Sequence, residues 1–457
     1  MLRKIRLTLA VCFFLCITGL FLDFTGTLHT WLGWMAKIQF LPAVLALNVG
    51  IVIALVVLTL VFGRVYCSVI CPLGVMQDLF AWFGKRGKKR KYHYSYSPEK
   101  KGWRYGFLAL FLLMLVAGIG SGAALLAPYS SFGRIVSNLL APLYGWGNNL
   151  LAYWAERADS YAFYETDVWL KSLPTFLIAV ITVVVLFVLA WRNGRTYCNT
   201  VCPVGTVLGF LFRPELDAGK CRNCGLCARQ CKAACIDYKN HQIDYSRCVA
   251  CMDCLDSCRH DALHFRLRTA KAARPAVEKT EPAGPADDSR RSFLASTALL
   301  AAATTLKAQE KKVDGGLAVI EDKQIPHRNT PIVPPGAWSA RHFAQHCTAC
   351  QLCVSACPNG VLRPSTDLMK LMQPEMSYER GYCRPECTRC SDVCPTGAIR
   401  PIMVEDKSST EPGNPDSLKI PAVNVERCIG CGACENLCPS RPFSAIYVEG
   451  HEMHRMV

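Results

Sequence analysis

Acidic side chains are scarce in this sequence. Its 457 residues include 35 Asp and Glu against 51 Lys and Arg, a net charge of +16. There is no cluster of carboxylates, no dinucleotide-binding G-x-G-x-x-G fingerprint, no P-loop and no evident flavin motif, so nothing supports a reductase with a substrate site of its own. The first apolar segment is followed by Asp23 and Phe24 and not by a small-residue cleavage site. A membrane span, not a cleaved signal peptide, is therefore expected there. What the chain has in abundance is apolar surface and sulfur: 51% hydrophobic residues, a mean hydropathy of +0.19 and 27 cysteines. Most of the cysteines fall in dense runs, the spacing of metal ligands and not of scattered disulfide pairs.

Four apolar segments, residues 7–24, 41–62, 105–127 and 173–191, are each near the roughly 20 residues that cross a bilayer core. The connection over residues 63–104 contains GKRGKKRKYHYSYSPEKKGWR, while that over 128–172 has only Arg134, Arg157 and Lys171. Basic short loops face the cytoplasm. The N-terminus and residue 192 are therefore expected inside. The positive charge reads as a topological signal that also suits anionic headgroups, and no nucleic-acid partner is expected. Asp23, Asp78 and His29 near the spans read as interfacially solvated, with quinone protonation as the sharper reading. Trp31, Trp34, Trp82 and Trp103 read as interfacial anchors.

GRVYCSVICPLG from Gly63 and GRTYCNTVCPVG from Gly194 share Gly, Arg, Tyr, both Cys, Pro and Gly at one spacing. Each copy closes a pair of spans, so the membrane part is predicted to be a duplicated two-span unit of four helices. The repeat would bring Cys67, Cys71, Cys198 and Cys202 together at the cytoplasmic face, where they could bind a metal or cluster or act as redox thiols. Cys12 and Cys16, inside the first span, read as packing residues.

Two runs with C-x2-C-x2-C-x3-C spacing follow: Cys221, Cys224, Cys227 and Cys231, then Cys248, Cys251, Cys254 and Cys258. This is the bacterial ferredoxin spacing for a [4Fe-4S] cluster, in which the fourth cysteine ligates the partner cluster. Cys221, Cys224, Cys227 and Cys258 are expected to form one set, and Cys248, Cys251, Cys254 and Cys231 the other. Cys235 is left without a role. Three more runs comprise Cys347, Cys350, Cys353 and Cys357; Cys383, Cys387, Cys390 and Cys394; and Cys428, Cys431, Cys434 and Cys438. Structural zinc prefers two separated pairs, so five [4Fe-4S] clusters are expected. The two regular outer runs are predicted to exchange fourth cysteines, leaving the middle run self-contained.

The sequence divides into a membrane domain (1–212), a two-cluster domain of α+β ferredoxin type (213–268), a linker (269–340) and a polyferredoxin domain (341–450). Residues 1–268 resemble the NapH family of membrane quinol dehydrogenase subunits, through the four spans, the two Cys-x3-Cys-Pro motifs and the two ferredoxin runs. The related NosR and cytochrome oxidase assembly families share these features. Residues 289–450 resemble the NapG family of exported polyferredoxins, through Arg290-Arg291 of SRRSFL, the PPGAW segment at 334–338 and the Cys runs. That family has four runs where this chain has three; the run between Cys357 and Cys383 is missing.

The resemblance implies a fusion of the two. An internal twin-arginine segment (289–308) would serve as a short fifth span, with the polyferredoxin domain in the periplasm of a bacterial inner-membrane protein. It also implies electron transfer from the quinol pool to a periplasmic reductase, in the manner of a quinol dehydrogenase-like subunit. A maturation factor that handles a metal or thiols for another redox enzyme is the alternative.

Overall fold

The structure is a computed structural model. It describes residues 2–23, 26–86, 94–160, 163–208, 215–216, 221–258, 262–264, 328, 330–384, 387–401, 428–438, 443–444 and 446–450. The twin-arginine segment and most of the linker lie outside these.

The N-terminal half is a helix bundle. Its main elements are α1 (Leu2–Leu22), α2 (Val49–Phe62), α3 (Pro72–Arg86), α4 (Lys101–Val116), α5 (Pro128–Ile135), α6 (Ala141–Arg157) and α7 (Leu173–Asn193). Among the described residues, α1 and α7 are long and apolar enough to cross a membrane, and α2 is a shorter apolar helix. The second and third expected spans are broken. Leu47 takes a left-handed φ of 52°, and the Asn48 side chain accepts from the Ile51 N–H to start α2 afresh. α4 stops at Ala117 and Gly118, whose φ of 75° suits glycine, before a short helix Gly120–Leu126 resumes.

Two small cysteine-rich units cap the bundle. In the first, α8 (Leu226–Gln230) and α9 (Asp253–Ser257) accompany two antiparallel ribbons, Glu215–Leu216 with Leu263–His264 and Ile236–Asp237 with Gln242–Ile243. The second contains α10 (Ala340–His346), α11 (Leu352–Ala356), a ribbon pairing Leu362–Pro364 with Pro374–Met376, α12 (Arg389–Asp392) and α13 (Ala433–Leu437).

The units sit at opposite ends of the helices. At the start of α1, Arg3 Nε donates to Asp253 Oδ1 of the first unit (2.8 Å); past its end, Gly26 lies against Arg389 of the second. Ahead of α7, Lys171 Nζ donates to the Val354 carbonyl of the second unit (2.8 Å); beyond it, the Arg195 N–H reaches the Lys232 carbonyl of the first (2.8 Å). After α2, Arg64 reaches the Ser246 carbonyl, and α4 runs from Arg104, on Ser246, to Gly118, beside Gln345. α1, α4 and α7 thus run from one unit to the other, and α2 ends at the first.

Outward from the bundle stand Leu15, Ile53, Leu113, Val116 and Ile181, all more than half exposed. Trp31, Trp34, Trp82 and Trp103 are exposed as expected, and so is Cys12, which does not pack inside.

The second unit is pressed into the bundle, not tethered to it. A Cβ at Gly133 of α5 would collide with the Cys350 carbonyl. Asn138 Nδ2 donates to Gln351 Oε1 (2.9 Å), and Trp169 is flanked by the guanidinium groups of Arg363 and Arg380 at 4.6 and 4.5 Å. One apolar core joins Cys67, Cys71 and Cys202 through Phe21, Tyr129 and Phe132 to Cys350 and Cys353. The first unit has its own core. Between that core and the bundle lies a polar layer of Arg64, Arg104, Arg195, Asp78, Lys232 and Asp253.

Candidate cluster sites

Four of the five runs share one backbone signature. The second residue after the first cysteine is left-handed in each: Asn223, Ala250, Ala349 and Gly430. So is the fourth: Gly225, Met252, Gln351 and Gly432. Left-handed residues other than glycine cost roughly 1–2 kcal/mol. Their repetition is a purposeful strain. Alternation of left- and right-handed residues turns successive N–H groups to one side, a concavity suited to anions and iron–sulfur groups. The Ala349 N–H donates to Cys347 Sγ at 3.4 Å in this way. A short helix then carries the third cysteine and delivers the fourth at its end.

In the first unit the structure gathers one of the sets that the spacing predicts around a cavity. Cys231 joins Cys248, Cys251 and Cys254 around one apolar cavity. Cys227 lies within electrostatic reach of Cys221 and Cys224, and Cys258 packs against the same core. The set around Cys231, Cys248, Cys251 and Cys254 fits a [4Fe-4S] cluster, since its thiols line one apolar hollow.

The second unit differs from expectation. Cys357 lines a cavity with Cys383, Cys387 and Cys390. Cys394 lies within electrostatic reach of Cys347, Cys350 and Cys353. The first and middle runs therefore exchange fourth cysteines, while the last run keeps Cys428, Cys431 and Cys434 together and meets the middle run where the Cys383 N–H donates to the Cys431 carbonyl (3.0 Å). The physical reason is the close packing of α11 on α12. A Cys357→Ser change is expected to perturb the same cluster signal as Cys383→Ser, and Cys438→Ser a different one. Electron paramagnetic resonance of the reduced variants checks this.

The Cys-x3-Cys-Pro repeat folds as a symmetric pair. Gly63 and Gly194 leave the preceding helices at φ 76° and 72°. The Cys71 N–H bonds the Tyr66 carbonyl and the Cys202 N–H that of Tyr197, both at 2.9 Å. These five-residue bonds are π-type turns, which mark functional sites. Pro72 and Pro203 then open new helices. Gly74 and Gly205 are required because a Cβ would collide with the Cys67 or Cys198 carbonyl. Each arginine crosses to the other copy. Arg64 Nη2 donates to the Cys198 carbonyl (3.3 Å), and Arg195 Nη1 to that of Cys67 (2.6 Å). Both are fully buried. Sequence reasoning assigned these arginines nothing, although their recurrence in both copies was the available signal.

Cys67, Cys71, Cys198 and Cys202 are buried and within electrostatic reach of one another. Gln77 Nε2 donates to Cys198 Sγ and the Gly205 N–H to Cys202 Sγ, both at 3.4 Å. Burial pushes the Cys71, Cys198 and Cys202 thiols up, which makes them poor nucleophiles as free thiols. Among the described residues no group of three His, Cys, Asp or Glu closes tightly enough for a single metal ion.

Asp78, read as interfacially solvated, is instead largely buried in an ionic knot. Arg195 Nη2 lies 2.7 Å, Arg6 Nη1 3.2 Å and Lys232 Nζ 3.4 Å from its carboxylate. Asp23 is also buried and accepts from the Gly26 and Leu28 N–H groups.

Known families match these regions. One described as a 4Fe-4S binding domain matches residues 45–91 and 173–220, the two copies of the repeat, and ends before Cys221. Families described as 4Fe-4S dicluster domains match residues 346–398 and 382–441, and residues 244–361. The chain is similar to the putative electron transport protein YccM of Escherichia coli, 24% identical over 48% of this chain and 55% of that protein. It is also similar to the ferredoxin-type protein NapH of Haemophilus influenzae, 27% identical over 50% of this chain and 70% of that one. A third relative is the ferredoxin-type protein NapF of E. coli, 28% identical over 26% of this chain and 87% of that one. The chain thus spans about half the length of the first of these. No solved structure matches it. The chain contains 4Fe-4S ferredoxin-type domains, and iron–sulfur electron transfer is the chemistry these matches support.

Proposed function

We propose that this protein carries electrons through a membrane, from quinol to a redox protein on the far side. The observation that carries the reading is that three helices, α1, α4 and α7, run between two cysteine-rich units. The apolar outer face of the bundle suits lipid and is poorly suited to water. Quinol as donor and a periplasmic reductase as acceptor come from the resemblance to the NapH and NapG families. The first unit then faces the cytoplasm with the basic loop, and the second the periplasm.

Bound [4Fe-4S] clusters supply one-electron carriers. The five runs would hold five, and Cys67, Cys71, Cys198 and Cys202 a sixth. The match of a 4Fe-4S binding domain to the repeat alone supports the sixth. So do Arg64 and Arg195, whose buried charges offset that of four thiolates. The chain's own part is to fix ligands at both ends and the middle of one bundle, and to keep water from the middle.

Right-side-out and inverted membrane vesicles test the reading. Duroquinol is expected to bleach the cluster absorbance, and external protease to remove a C-terminal epitope only from right-side-out vesicles. If duroquinol leaves the clusters oxidised while dithionite reduces them, the donor assignment fails. If both orientations protect the same unit, the two-sided arrangement fails.

A further inference from the structure

The first unit contains a fifth thiol that no ligand set uses. Cys235 lines the same cavity as Cys231, Cys248, Cys251 and Cys254. It is 1% exposed, and its Sγ lies 3.5 Å from Cys231 Sγ. Cys248 lines the same cavity, within electrostatic reach of this thiol. The remaining runs show what ordinarily stands here. Four residues beyond the last cysteine, the three whose positions are described carry Ala262, Val361 and Ala398. Among these described positions, only the first run places a proton-bearing side chain at this point.

We propose that Cys235 is a hydrogen-bond donor that raises the reduction potential of the cluster held by Cys231, Cys248, Cys251 and Cys254. This rests on the reading that the cavity holds a cluster. Cys231 and Cys248, as ligands, are thiolates and can only accept. Of the three sulfurs, Cys235 alone keeps a proton. Reduction adds negative charge to the cluster and its ligands. A donor aimed at those ligands strengthens on reduction, so it favours the reduced state. The two clusters of the first unit share a ligand spacing, and Cys235 makes this one the easier to reduce. Cys235 is a positioning and tuning residue, not a ligand.

The test is a redox titration followed by electron paramagnetic resonance, on the full-length protein in lipid nanodiscs, with iron and sulfide determined in parallel. Cys235→Ala introduces the residue that stands at the equivalent positions 262 and 398. It is expected to leave iron and sulfide unchanged and to move one transition to lower potential. The shift should be about tenfold in the reduced-to-oxidised ratio at fixed potential, 59 mV for one electron. Cys235→Ser, which keeps a donor, should move it less. The converse change, Ala262→Cys, should move a different transition upward. Unmoved transitions in Cys235→Ala and Ala262→Cys, with iron intact, overturn the proposal. Loss of one cluster's iron in Cys235→Ala also overturns it, since Cys235 would then be a ligand. Absence of iron from this cavity in the unaltered protein removes the acceptor and overturns the underlying cluster reading as well.

Discussion

Replacing Cys67 and Cys198 together with alanine is expected to remove about four irons per chain and to stop electron passage between the two units. Each unit should still be reduced directly by dithionite. The argument starts from the repeat. Each motif copy contributes two thiols, and the double change removes one from each, so no half-site survives. Among the described residues, Cys12 and Cys16 are the only other cysteines between the units, and Cys12 faces outward. The change is small in volume and keeps the crossing bonds of Arg64 and Arg195, which go to carbonyls and not to sulfur. Iron determination, and the rate at which quinol reduces the far unit, check the result. Unchanged iron with an unchanged rate would make the four thiols packing residues. Full iron with a lost rate would point to the thiol-redox alternative.

Replacing Asp78 with alanine is expected to loosen the first unit from the bundle, at a cost of about 3–5 kcal/mol, because it strands buried cations. Arg195, which is fully buried, would lose both of its bonds to that carboxylate, at 2.9 and 2.7 Å. Lys232 would keep only Asp253, at 3.2 Å. Lys232 follows Cys231, so the loosening should also reach a cluster ligand. Limited proteolysis after residue 208, and the thermal stability of the first unit, measure the effect.

The pH dependence follows from the same knot. Burial alone would raise the Asp78 carboxyl, but Arg195, Lys232 and Arg6 outweigh it and hold the group well below the usual carboxylate range. A depressed folded-state pKa gives stability that is fully present above the unfolded value, about 4, and is lost as pH falls toward the folded one. Docking of the first unit should therefore be flat from pH 5 to 7 and weaken only in stronger acid. In Asp78→Asn that acid dependence should largely vanish. An equally steep loss in the variant would place the titrating group elsewhere, with Asp253, also depressed and on the same lysine, as the next candidate.

The sequence by itself determined whatever is written over a few residues. The C-x2-C-x2-C spacing dictates the left-handed turns at Ala250 and Met252 and at Ala349 and Gln351, because three nearby thiols can face one hollow only if the chain reverses between them. Gly63 and Gly194, Gly74 and Gly205, and the prolines between them were legible as a repeat because each serves a local backbone need. Apolar length marked α1 and α7, while the breaks at Leu47 and Gly118 turned on single residues that a hydropathy pattern passes over.

Only the tertiary structure decided what meets across long separations. Cys357 meets Cys383 and its neighbours, and not the last run, because α11 packs on α12; the spacing of either run is the same whichever partner it takes. Arg64 and Arg195 lie 131 positions apart in the numbering, and their exchange of carbonyls follows from two helix ends closing on each other. Asp78 looked like a solvated charge because its cations come from three other segments. Cys235 looked surplus because its neighbour Cys248 arrives from the next run. Spacing fixes the backbone, which is local, whereas burial and charge compensation are properties of the packed chain.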